Sequence, residues 1–287
     1  MLYLKLVLMA LCWSGVFPAL AILLRSMGVM HAVFLRFVAA SLILLALLVV
    51  REKRLPRLSP REATIVFVLG MLGVSVYNFL FTAAMARVEA SRAAVILPTN
   101  PAFTALFAFF LFRENLGRIR SLGVGLCVLG ALWVIGKGDP GHYAQLDFGL
   151  GELLLVLCIF LWSAYTLLGR VALATLSPLA LTACVSFAGA LQLAIPAWIV
   201  REPLDAVTAQ GWAALGYLAV FGTVLPFLWY YEGVKALGAA RAAQFINLVP
   251  PLAVAESVLI LGEPFTPALA AGTALVVAGL YLTNKPR

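Results

Sequence analysis

Shifted by 149 residues, the second half of this chain falls on the first without a gap over long stretches. Trp13-Ser14 lands on Trp162-Ser163, Arg92-Ala93-Ala94 on Arg241-Ala242-Ala243, Pro101 on Pro250 and Glu114 on Glu263. Gly73, Gly123 and Gly130 land on Gly222, Gly272 and Gly279. Alanine matches carry little weight in an apolar sequence, but paired Trp, Arg, Pro and Glu at one offset do not follow from composition. A duplication of this length restricts the fold to two copies of one unit packed on each other.

The unit is a set of membrane helices. Hydrophobic residues make up 64% of the chain, charged residues 11%, and the mean hydropathy is +1.06, far from the balance of soluble domains. Apolar runs lie at 5–24, 31–50, 64–86, 91–112, 119–136, 150–169, 178–200, 211–231, 240–261 and 267–283. Each approaches the ~20 residues that cross a ~30 Å hydrocarbon core as a helix. The expectation is an all-α integral membrane protein with ten transmembrane helices, the first repeat spanning 1–140 and the second 149–287. The first run, although it contains Ala19-Leu20-Ala21, has a repeat counterpart at 154–173 and is read as a retained helix.

The formal net charge of +8 does not point to nucleic acid, because the basic residues are dispersed among the connections. With a cytoplasmic N-terminus, 14 of the 20 Lys and Arg fall on inner connections and 5 on outer ones, Arg36 lying within a span. The positive-inside bias therefore places both termini in the cytoplasm of a cell (inner) membrane protein. An odd number of helices per repeat then turns the second five-helix repeat upside down relative to the first. Cys12, Cys127, Cys158 and Cys184 fall inside spans without C-x-x-C spacing, and His31 and His142 have no partner at ligand spacing. The sequence calls for no metal and no cofactor.

Several stretches carry a recognisable pattern: Leu35-Arg36-Phe37, the run PAFTALFAFFLFRENLGRIRSLGVGLCVLGALW from Pro101 to Trp133, and PPLAVAESVLILGEPFTPALAAGTALVVAGLYL from Pro250 to Leu282. A proline, an apolar run, a Glu at the helix end and a Gly-punctuated last helix resemble the EamA domain. The chain thus resembles the drug/metabolite transporter superfamily with two EamA domains, and within it the YddG-type amino-acid exporters. The resemblance implies a ten-helix carrier of small metabolites, often an exporter.

Carriers with inverted repeats bind substrate near the midplane, where broken helices expose polar groups to a cavity. Leu97-Pro98-Thr99-Asn100-Pro101 and Asn247-Leu248-Val249-Pro250-Pro251 are corresponding proline-bearing segments, with Thr99, Asn100 and Asn247 supplying polar side chains. Gln244, Asn247 and Pro251 step along one helix face, as do Ser75, Asn78 and Thr82. Such stripes serve either a wet interior or hydrogen bonds between helices. Aromatic residues cluster at corresponding depths: Trp13 with Phe17, Tyr77 with Phe81, Trp162 with Tyr165, and Trp229, Tyr230 and Tyr231. Rings give rigid apolar walls and faces that attract ammonium groups, although Trp and Tyr also form interfacial belts. Trp13-Ser14 and Trp162-Ser163 are favoured for the cavity because the repeat places both near mid-span.

Arg36 can hold a substrate carboxylate or snorkel to the interface. Arg92 and Arg241, at the starts of corresponding helices, read as anchors more than gates. Glu256 is the one carboxylate well inside a span and is a candidate for proton coupling, without support from its repeat counterpart Phe107; Glu232 is a weaker candidate. Gly123, Gly130, Gly272 and Gly279 suit close helix packing within the chain or across a homodimer.

The sequence therefore reads as an alternating-access transporter in the lipid bilayer for small-molecule, amphipathic metabolites. Amino acids are the leading class, exported with broad or aromatic-leaning specificity. Efflux of drugs or organic cations is the alternative. An intramembrane enzyme or a structural membrane protein is the remote one; no H-E-x-x-H, G-x-S-x-G or paired intramembrane aspartates occur, and a structural protein leaves the internal polar stripes without a use.

Overall fold

The computed structural model describes residues 2–53, 55–100, 102–103, 117–139, 149–237, 242 and 244–283. Pro101, Glu114, His142, Arg241, Lys285 and Arg287 lie outside the described residues, as do the side chains of Arg170, Tyr231 and Lys235.

Among the described residues the fold is helical, and the apolar runs become the helices. In chain order these are α1 (Leu2–Leu23, divided into Leu2–Ser14 and Val16–Leu23), α2 (Val29–Glu52), and α3 (Pro60–Met85, with a π-helical turn at Met71–Ser75). Then come α4 (Ala90–Ile96, continued by a 3-10 turn at Leu97–Thr99), α5 (Gly117–Ile135), α6 (Leu150–Ala172) and α7 (Pro178–Val200). The last are α8 (Ala209–Ala219, a π-helical turn at Val220–Val224, then Leu225–Leu237), α9 (Phe245–Leu261, opened by a 3-10 turn at Phe245–Leu248) and α10 (Pro267–Thr283). Seven are long and apolar enough to cross a membrane; α9 and α10 are shorter apolar helices. Large apolar side chains such as Leu42, Trp198, Ile199 and Leu259 point outward, as a lipid-facing surface requires.

The starts follow from local capping. Ser59 accepts from the Glu62 amide while Glu62 reaches back to the Ser59 amide, with Pro60 in the first turn of α3. Thr208, one repeat later, accepts from the Gly211 amide at the start of α8. Irregularities also recur at the 149 offset: the π-helical turns Met71–Ser75 and Val220–Val224 correspond residue for residue, and each carries a glycine, Gly73 and Gly222.

Equivalent helices pack against each other in opposite directions. A β-carbon on Gly123 of α5 would come within 2.6 Å of the Gly279 carbonyl oxygen in α10, and one on Gly130 within 2.8 Å of the Gly272 carbonyl oxygen. Rising numbers in α5 therefore meet falling numbers in α10, and the four glycines serve packing inside the chain. Glu52 at the end of α2 accepts from the Ser177 hydroxyl at the start of α7. Glu263, just past α9, accepts from the Ala90 and Ser91 amides at the start of α4, at 2.8 Å each. This last contact gives the EamA-type Glu a structural use: its two oxygens satisfy two of the four amides that a helix start leaves open.

Candidate functional site

The two π-helical turns and the broken ends of α1, α4 and α9 surround one interior cavity of about 250 Å3. Trp13, Phe17, Arg36, Tyr77, Asn78, Phe81, Asn100, Trp162, Tyr165 and Thr223 are among its walls. Arg36 is the one charged side chain lining it among the described residues.

Arg36 is buried on α2 and turns inward rather than snorkelling. Its Nε and Nη2 donate to the Thr223 hydroxyl at 3.3 and 3.2 Å. That hydroxyl in turn donates to the Leu218 carbonyl at 2.9 Å, which leaves its lone pairs for the guanidinium. Thr223 is presented by the π-helical turn of α8, where the extra residue per turn re-aims side chains. Gly222 beside it leaves room: a β-carbon there would lie 3.0 Å from the Val16 side chain and 3.7 Å from Arg36 Nη2. Among the described residues no carboxylate pairs with Arg36. A buried cation without a counter-charge is costly.

Asn100 also lines the cavity, buried at the end of the 3-10 turn of α4, with its Oδ1 unpartnered. Its amide lies in reach of the Tyr77 hydroxyl. The amide oxygen is the acceptor left over for a ligand. Asn78 donates to the Gly73 carbonyl at 3.0 Å, inside the widened turn of α3.

The rings form two walls. Trp162 packs against Tyr77 and Tyr165 with centroids 5.1 and 5.2 Å apart, and Phe81 bridges Tyr77 and Phe17 at 6.3 and 5.7 Å. Gly73 makes this wall possible, since a β-carbon there would meet the Tyr165 ring. In a second group Trp13 meets Phe227 edge-on at 5.5 Å and Tyr230 at 5.9 Å.

Other residues singled out in the sequence lie elsewhere. Ser75 donates to Gln192 of α7 at 2.7 Å, Thr82 is buried away from the cavity, and the Ser163 and Thr99 hydroxyls donate to the Ile159 and Ile96 carbonyls. Ser14 contacts Glu256. Tyr230 backs Trp13 without lining the cavity, and Trp229 is half-buried outside it. The stripe Gln244, Asn247, Pro251 does not line the cavity: Gln244 is exposed and Asn247 is half-buried outside the lining. The 3-10 turn at Phe245–Leu248 aligns residues three apart, and the row that faces the cavity is Ile246 and Val249. Arg92 is not a membrane anchor: it pairs with Glu152 at 2.9 Å and donates to the Ile135 carbonyl. Glu232 pairs with Lys5.

Thr182, Ser186, Thr223 and Phe227 line the cavity and were not anticipated. Thr182 and Ser186, four residues apart on α7, did carry a helical-face signal.

Residues 1–136 and 149–285 each match the EamA-like transporter family. The chain belongs to that family, and so to a class of multi-pass membrane transporters. It is similar to the uncharacterized transporter YyaM of Bacillus subtilis (strain 168), 28% identical over 87% of this chain and 82% of that one. It is also similar to a probable terminal-alkyne amino-acid exporter of Streptantibioticus cattleyicolor, 25% identical over 98% of this chain and 92% of that one. A crystal structure with 21% identity superposes with a TM-score of 0.69, covering 98% of this chain and 96% of the other; at that identity the likeness concerns the fold.

Proposed function

We propose that the protein exports amino acids, holding the carboxylate at Arg36, the ammonium group at Asn100 Oδ1 and nearby ring faces, and the side chain between the walls of Trp13 and Trp162. The observation that carries this reading is the buried Arg36 guanidinium, bonded to one hydroxyl and facing a cavity without an acidic side chain among its described walls. A carboxylate satisfies it bidentately. The same charge disfavours the rival reading, because an organic cation entering beside Arg36 meets like-charge repulsion at low dielectric. A volume of about 250 Å3 lies just below the usual range of ligand pockets, about 300–1,000 Å3, and suits one amino acid better than a large drug. The Streptantibioticus relative, a probable terminal-alkyne amino-acid exporter, agrees with the substrate class.

In this reading the halves 1–140 and 149–287 are inverted repeats and transport is by alternating access. Antiparallel packing of equivalent helices and the paired π-helical turns support it. The basic bias of the connections supports cytoplasmic termini in the cell membrane. The end of the bundle holding Arg92–Glu152, whose side chains are 16% and 9% exposed, is then the outer side. The inner side carries Lys5–Glu232, exposed at 43% and 36%. A buried clasp outside and a wet pair inside suit a conformation closed to the exterior. Flux of an amino-acid panel in proteoliposomes tests the reading: saturable transport of at least one α-amino acid supports it, and none across the panel with folded protein refutes it.

A further inference from the structure

We propose that Glu256 is a protonation site on the α1–α9 contact, distinct from the substrate cavity, and that it couples transport to protons through the break in α1. The proposal goes beyond the substrate reading.

α1 is interrupted at Gly15, between Leu2–Ser14 and Val16–Leu23, and Glu256 of α9 lies against this interruption. Ser14 Oγ is 2.8 Å from Glu256 Oε1 and 2.8 Å from the Leu11 carbonyl oxygen. A serine hydroxyl has one proton, so it cannot donate to both acceptors. With a proton on Glu256 Oε1 the chain is complete: the carboxyl donates to Ser14, and Ser14 donates to Leu11. The second oxygen, Oε2, is buried with no hydrogen-bond partner. The Tyr217 hydroxyl, a neighbouring donor, is committed to the Cys12 carbonyl at 3.1 Å. An ionised carboxylate would leave a charged oxygen buried without a donor, whereas a neutral acid leaves only a weak carbonyl acceptor.

Among the described residues the surroundings supply no compensating cation. Facing Glu256 are the Cys12 thiol of α1 and the Tyr217 phenol of α8. Among the other titratable groups on elements packed against α9, Lys5 of α1 is paired with Glu232 and Arg92 of α4 with Glu152, while Tyr3 of α1 and Tyr281 of α10 are exposed. Val16–Leu23 and Phe245–Leu248 carry none.

Coupling follows from chain adjacency. Trp13 lines the substrate cavity and Ser14, the next residue, holds Glu256. Gly15 permits the close approach: a β-carbon there would clash with the Tyr217 hydroxyl and lie 3.3 Å from Glu256 Oε2. Motion of the break that shifts Trp13 also separates Ser14 from Glu256. The carboxyl then gives its proton to water on the side that opens, and the carboxylate regains one from water on the other side before the contact re-forms.

The test has two arms on the full-length protein in liposomes. Infrared difference spectra at neutral pH, with no substrate, should show the carbonyl stretch of a protonated carboxylic acid in wild type that disappears in Glu256→Gln. Absence of that band in wild type overturns the proposal. In the flux arm, which rests on the amino-acid reading, Glu256→Gln keeps a donor for Ser14. It should retain amino-acid counterflow within about twofold and lose the response to an imposed pH gradient. A variant that still follows the gradient, a wild type that never does, or loss of counterflow from folded Glu256→Gln protein overturns coupling through this residue. If wild type moves no amino acid, the substrate reading fails, and the infrared arm still decides whether Glu256 holds a proton.

Discussion

Arg36 and Thr223, 187 residues apart in sequence, meet through two N–H donors converging on one hydroxyl. Thr223 is presented by the π-helical turn of α8, so the orientation of the guanidinium depends on a local irregularity in the opposite half. Thr223→Val removes the acceptor at nearly constant volume, and Thr223→Ser restores it. A lost hydrogen bond to a charged group is worth about 1.5–3 kcal/mol. We predict that Thr223→Val weakens half-saturation for substrate about tenfold or more and that Thr223→Ser stays near wild type, measured by counterflow. Equal behaviour of the two variants would remove Thr223 from the account.

The α5–α10 seam predicts a stability difference between glycines of one helix. A β-carbon on Gly123 meets the Gly279 carbonyl, while one on Gly125 meets nothing within 4 Å. Gly123→Ala should lower stability by about 1–3 kcal/mol, read as an earlier thermal transition of detergent-solubilised protein. Gly125→Ala should be neutral or slightly stabilising, as alanine favours the helix. Matching transitions would argue against the seam.

The Arg92–Glu152 clasp predicts a conformational effect. Breaking a buried pair by removing one partner leaves an uncompensated charge and costs several kcal/mol, here borne by the state in which α4 and α6 are clasped. With the four native cysteines replaced and a cysteine at Ser186 in the cavity, Glu152→Gln should speed labelling by an impermeant reagent from outside the cell about fivefold or more. An unchanged or slower rate would mean that the clasp does not close the outer side.

Duplication and apolar spacing made the helical architecture legible, because paired Trp, Arg, Pro and Glu are rare enough to register at one offset. Arg36 and Asn100 were legible for a related reason: a cation or an amide inside an apolar run needs a use. The polar stripes were legible as spacings, but spacing does not say which row of a helix faces inward. Ser75 ends the π-helical turn and its hydroxyl meets Gln192, Asn78 lines the cavity, and Thr82, one α-helical turn further on, lies beyond the lining. In the 3-10 turn at Phe245–Leu248 the apolar row of Ile246 and Val249 faces the cavity, and Gln244 and Asn247 lie off it. Thr182, Ser186 and Thr223 escaped notice because short hydroxyls satisfy themselves on their own helix and read as neutral.

The paired tryptophans bear on selectivity. Trp13→Ala and Trp162→Ala each remove ring contact worth on the order of 1 kcal/mol, or several-fold in affinity, for a bulky apolar substrate. Competition between phenylalanine and threonine should shift toward threonine in both variants. An unchanged ratio would assign the rings to packing.

The most direct measurement compares phenylalanine with phenethylamine, its decarboxylated counterpart, in proteoliposomes of wild type and Arg36→Gln. If Arg36 is the carboxylate site, wild type transports the amino acid and discriminates against the amine by at least about tenfold, and Arg36→Gln loses that discrimination through a fall in amino-acid transport. Transport of the amine by wild type as fast as the amino acid, or full phenylalanine transport by a folded Arg36→Gln variant, would contradict the account.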